Sequence, residues 1–101
     1  MSQPEVVFLS GARTPIGSYG GSLKDVPPTA LGAHAAKAAI ARAGIAPEDV
    51  EHTVFGHVIH TEPRDMYISR VAAMEAGVPK EAPAMTVNRL CGSGLQAIVS
   101  A

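Results

Sequence analysis

The chain has 101 residues, a single cysteine, four aromatic residues and a formal net charge of −1. That length allows one small domain at most, and a near-neutral chain carries no electrostatic footprint for nucleic acid or an acidic membrane surface. One cysteine excludes an internal disulfide, and no leader-like opening or apolar run of about 20 residues occurs; the expectation is a cytoplasmic α/β unit whose core is alanine and small aliphatics.

Val6-Val7-Phe8-Leu9 is a continuous apolar run, the pattern of a strand buried on both faces of a parallel sheet. A glycine- and proline-rich loop follows, from Arg13 to Pro28, longer than a simple βα connection. It is not a phosphate cradle, because five residues separate Gly11 from Gly17 and no lysine follows. Arg13 is read as holding carbonyls of its own loop. Thr29 is the expected N-cap of an alanine-rich helix through Leu31, Ala35, Ala38, Ala39 and Arg42, ended by Gly44 and Pro47. Pro47 to Val50 reads as one helical turn with acidic residues at its start.

Thr53 to Ile59 reads as a second strand. On it His57 and His60, three residues apart, would face opposite sides and could not ligate one metal; no zinc-type spacing accompanies them, so no metal is assigned. His34 falls on the first helix, and all four histidines are read as non-catalytic. A further helix begins at Arg64-Asp65, with Tyr67, Val71 and Met74 on one stripe, and stops at Gly77 and Pro79. Met66, Met74 and Met85 are read as core fillers, and Arg70 as solvated or in an intrahelix or intersubunit contact.

The last quarter carries the chemistry. Ala84 to Val87 suits a strand after Pro83, and Leu95, Ile98 and Val99 recur at helical spacing after Gly92-Ser93-Gly94. Cys91 falls at the junction, at the C-terminal end of a strand, where open α/β sheets place their chemistry. Unpaired N–H groups and the helix dipole favour thiolate there, and neighbouring N–H groups, including its own, suit an oxyanion. Cys91 is therefore a candidate acyl-accepting nucleophile; a buried structural thiol is the competing reading. Strands alternating with helices indicate a mostly parallel sheet with crossover helices.

Asn88-Arg89-Leu90-Cys91-Gly92-Ser93-Gly94 resembles the nucleophile segment of the thiolases, and Gly11 to Gly17 with Gly20-Gly21-Ser22-Leu23 resembles their opening segment. Phe55-Gly56-His57-Val58 and Thr61 to Tyr67 look most like bacterial β-ketothiolases and acetyl-CoA acetyltransferases. The resemblance implies the N-terminal portion of a layered α/β/α/β/α fold, with residues 1–101 an incomplete N-terminal domain that opens the first half. It implies acyl transfer through an acyl-Cys91 thioester, in thiolytic cleavage of 3-ketoacyl-CoA or condensation of two acyl-CoA molecules, as in fatty acid metabolism or polyhydroxyalkanoate biosynthesis. Coenzyme A and acetyl-CoA would be substrates, with no permanently bound cofactor. The complete protein would be a homo-oligomer, dimer or tetramer, with Met85 to Asn88 near a partner chain. The activating histidine and second cysteine would lie beyond Ala101, so the 101 residues alone are expected to be inactive. Three alternatives stay open: a serine hydrolase using Ser93, whose flanking Cys91 and Leu95 break the Gly-x-Ser-x-Gly elbow; another thiolase-fold condensing enzyme; and a non-catalytic scaffold subunit.

Overall fold

In the computed structural model, which describes residues 3–101, the first helix, α1, spans Pro28–Ala43. Alanine supplies its propensity, and Pro28 starts it at a position where a fixed φ fits and no N–H is required. The cap residue is Pro27, without a side-chain bond. Thr29, expected as the cap, instead lies inside the first turn, buried. At the other end Gly44 adopts φ 72°, the left-handed conformation that ends a helix with no Cβ penalty. Pro47–Asp49 forms the expected single turn.

Two parallel strands follow, β1 at Thr53–Gly56 and β2 at Ala84–Val87, paired from Thr53 with Ala84 to Gly56 with Val87. Between them a 3-10 turn, Pro63–Tyr67, runs into α2, Ile68–Glu75. The third helix, α3, spans Ser93–Ser100. β1 is shorter than expected, ending at Gly56 rather than Ile59.

The core is mostly alanine: Ala33, Ala72, Ala73, Ala76, Ala82 and Ala97 are buried, with Ile68 and Val78. Small side chains let the layers approach closely, and a Cβ at Gly32 of α1 would come within 3.0 Å of the Phe55 ring and 3.4 Å of Ala72. The buried stripe of α2 is Ile68, Ser69, Ala72 and Ala73, not Tyr67, Val71 and Met74. Tyr67 is 63% exposed because it sits in the tighter turn before the helix. Met66 and Met85 are exposed rather than core fillers. Ser69 ties α2 to both strands: its hydroxyl donates to the Thr53 carbonyl (3.0 Å) and its N–H to Thr86 Oγ1 (3.3 Å).

Phe55 faces α1 and α2, while a Cβ at its neighbour Gly56 would meet Ser93 in the first turn of α3. Successive strand residues face opposite sides, so the helices α1 and α2 cover one face of the sheet and α3 the other. This is the layered α/β arrangement expected.

Val6 to Leu9 lies in no helix or strand among the described residues, and these residues are 61–87% exposed. A strand is defined by its partner, and here the segment is tied instead to α1. Ser10 Oγ donates to Ala39 O (2.6 Å) and Arg42 donates to Gly11 O (3.1 Å). Arg13 donates to Thr14 O, as read from its loop. Arg70 is neither solvated nor paired within its helix; it donates to the carbonyls of Lys80 and Ala82, closing the loop after α2.

An alanine at Gly56 would place its Cβ 2.7 Å from the Ser93 backbone carbon and oxygen. Gly56→Ala is expected to destabilise by about 1–3 kcal/mol, as overpacking against backbone does; an unchanged denaturation midpoint would contradict this contact.

Candidate functional site

The path from β2 to α3 reverses in five residues, Asn88 to Gly92. Leu90 takes φ 48° there, the one non-glycine residue with positive φ among the described residues. Several hydrogen bonds hold it. Leu90 N–H donates to Asn88 Oδ1 (3.0 Å), and the Leu90 carbonyl accepts from Ser93 Oγ (2.7 Å) and from Ser93 N–H (3.0 Å). Ser93 Oγ in turn accepts from Arg89 N–H (2.7 Å), and Gly92 N–H donates to Arg89 O (3.0 Å). Arg89 reaches along α3 to Gln96 Oε1 (3.2 Å).

Cys91 emerges from this turn as a free, exposed thiol. It sits one residue before the helix cap, Gly92, rather than in the first helical turn. The buried structural thiol is therefore not what the geometry shows. Ser93, the rival nucleophile, is 5% exposed and its single proton is committed to the Leu90 carbonyl. That removes the serine-hydrolase reading. A hollow of about 520 Å³ lies elsewhere, between Ser10, Ala39, Ile40, Thr53, Val54 and Val78, and does not reach Cys91.

A second polar cluster follows β1. Asp65 is completely buried, and its Oδ2 accepts from Thr61 N–H (2.7 Å), Thr61 Oγ1 (2.8 Å) and Glu62 N–H (3.2 Å). His57 Nε2 lies 3.8 Å from the same oxygen. The Thr61 amide is the main cause holding the Asp65 carboxyl below its usual value, aided by the Thr61 hydroxyl, the Glu62 amide and His57 and opposed by burial. His57 and His60 do not diverge: with the strand ended at Gly56, their rings meet edge to face at 4.8 Å. No group of three His, Cys, Asp or Glu residues able to hold a metal occurs among the described residues. His34 is exposed on α1.

Sequence reasoning singled out Cys91, weighed Ser93 only as a rival nucleophile, placed Asp65 only at a helix start and did not single out Leu90. A signal for Asp65 was present: Asp two residues after a proline recurs in Ala46-Pro47-Glu48-Asp49, where Asp49 Oδ2 accepts from Ala46 N–H (3.0 Å). Both are first-turn acceptors for the cap amide. Nothing in the local sequence announces a left-handed leucine.

A family model described as the thiolase N-terminal domain matches residues 6–101. The chain belongs to the thiolase family. It is 66% identical over 97 residues to the β-ketothiolase BktB of Cupriavidus necator, covering 96% of this chain and 25% of that protein. It is 44% identical over 95 residues to the human mitochondrial 3-ketoacyl-CoA thiolase, covering 94% and 24%. Among solved thiolase structures, the human mitochondrial enzyme in complex with CoA superposes with a TM-score of 0.88 at 44% identity, over 91% of this chain and 23% of that one. The Bacillus anthracis acetyl-CoA acetyltransferase gives 0.86 at 37% identity, over 93% and 24%. The chain thus spans about a quarter of the length of these relatives.

The charged form of Asp65 is the one the fold binds. Its contribution to stability is complete above the ordinary carboxylate value of about 3.9 and is lost as pH falls through the lowered native value. The gap in melting temperature between the wild type and Asp65→Asn is expected to narrow on acidification from about pH 5 to about pH 2; a constant gap would contradict the assignment.

Proposed function

We propose that this chain supplies the nucleophile of a thiolase, with Cys91 as the acyl acceptor and CoA thioesters as substrates. The observation that carries the reading is an exposed thiol on the turn between β2 and α3, inside Asn88 to Gly94. In the acylation step, deprotonated Cys91 Sγ attacks the thioester carbonyl carbon and the carbonyl π electrons move to oxygen. Collapse of that oxyanion forms the acyl-Cys91 thioester and expels CoA thiolate, which takes up the proton lost by Cys91. The reverse transfer regenerates the thiol. Splitting carbon–carbon cleavage or condensation around a covalent intermediate lowers each barrier. The Cys91 backbone N–H is one donor to the developing oxyanion.

The residues belong to the opening part of the first half of the protein. Cys91 is the sole cysteine here, so a second, acid–base cysteine has to come from outside these 101 residues. The family resemblance points to a homo-oligomer with a partner near Met85 to Asn88, where Met85 is 40% exposed.

Incubating the complete protein with acetyl-CoA and mapping the adduct by mass spectrometry tests the assignment. Acetyl is expected on Cys91 and absent from Cys91→Ala; label elsewhere with Cys91 unmodified overturns it. The purified 101-residue chain alone is expected to cleave no acetoacetyl-CoA in the presence of CoA. Measurable turnover by that chain would refute the division of labour.

A further inference from the structure

We propose that Ser93 is a positioning residue whose hydroxyl aims the Cys91 backbone N–H, so that this donor is already oriented for the oxyanion before substrate arrives. The inference rests on the reading of Cys91 as the acyl acceptor.

A peptide unit is planar, and in a trans unit the C=O of one residue and the N–H of the next point in opposite directions. The Leu90–Cys91 unit is trans. Whatever fixes the Leu90 carbonyl therefore fixes the direction of the Cys91 N–H. Two donors fix it, and both come from Ser93: the hydroxyl at 2.7 Å and the N–H at 3.0 Å. They draw the carbonyl toward the first turn of α3 and leave the Cys91 N–H on the opposite side of the unit.

The hydroxyl is not free to reorient. It accepts from Arg89 N–H at 2.7 Å, which leaves its one proton for Leu90. Ser93 is 5% exposed, so water competes little for either bond. Asn88 Oδ1, accepting from Leu90 N–H, holds the preceding unit. Together these bonds hold Leu90 at φ 48°, a conformation leucine leaves readily when unsupported. Preorganised donors are effective because they need no reorganisation as charge develops. Without the Ser93 hydroxyl the carbonyl keeps one donor and the peptide unit gains freedom to rotate.

The test compares two reactions at the same sulfur in the complete protein. Acetylation of Cys91 by acetyl-CoA builds an oxyanion; alkylation by iodoacetamide displaces iodide at a saturated carbon and builds none. In Ser93→Ala the single-turnover acetylation rate is expected to fall by at least about 10-fold, toward the 10²–10³-fold loss typical of a missing oxyanion donor, while alkylation proceeds at the wild-type rate. A purely structural role would slow both reactions together or neither, and either result overturns the proposal. Asn88→Ala, at an exposed position, is expected to show the same split to a smaller degree. Should Ser93→Ala fail to fold, Asn88→Ala decides, and unchanged acetylation in it overturns the proposal. If Cys91 of the wild type is never acetylated, the underlying assignment has failed; if it is acetylated and both variants match it, only the role of Ser93 has.

Discussion

The structure turns on the contact between the end of β1 and the start of α3. Gly56 has no Cβ, and a Cβ there would sit within 2.8 Å of Ser93 carbon and oxygen atoms. The helix can therefore begin directly on the sheet. That proximity leaves five residues, Asn88 to Gly92, to carry the chain from β2 into α3. A reversal this short needs a residue at positive φ, and Leu90 takes it. Cys91, next in line, is then delivered to the surface at the edge of the sheet. The position of α3 on the sheet and the short turn that carries Leu90 and Cys91 meet at this one close approach.

The parts of this arrangement legible in the sequence were those set by local chemistry. Gly44 and Pro47 ended α1, β-branched Thr86 and Val87 marked β2, and the small residues after Cys91 marked the start of α3. Proline at N1 with aspartate at N3 foretold the Pro47 turn. The same pattern at Pro63 is a carboxylate buried among three donors. What escaped was set by partners distant in the chain. Val6 to Leu9 has the apolar content of a strand but pairs with nothing among the described residues. His57 and His60 meet because β1 stops at Gly56, where pairing ends with Val87. Thr29 has the chemistry of a cap, yet Pro28 already starts the helix and Thr29 is buried.

The two polar clusters solve the same problem in different ways. After β1, the Asp65 carboxylate gathers the amides of Thr61 and Glu62, so a charged group organises a loop from inside. After β2, the neutral Ser93 hydroxyl bridges Arg89 N–H and the Leu90 carbonyl. A carboxylate in the second place would add a negative charge beside the Cys91 thiol, where a like charge disfavours thiolate. A hydroxyl both donates and accepts without adding charge, which suits the position next to Cys91.

The energetics of the Cys91 turn are finely balanced. Holding a leucine in the left-handed region costs about 1–2 kcal/mol, while each hydrogen bond returns a net of about 0.5–1.5 kcal/mol. At central values the three bonds to Leu90, one at its N–H and two at its carbonyl, together exceed the strain. Removing one narrows that margin toward break-even. A strained residue beside the Cys91 thiol is thus tolerated because its neighbours over-determine it. The same bonds constrain the Leu90 carbonyl, and through the planar peptide unit the Cys91 N–H that shares it.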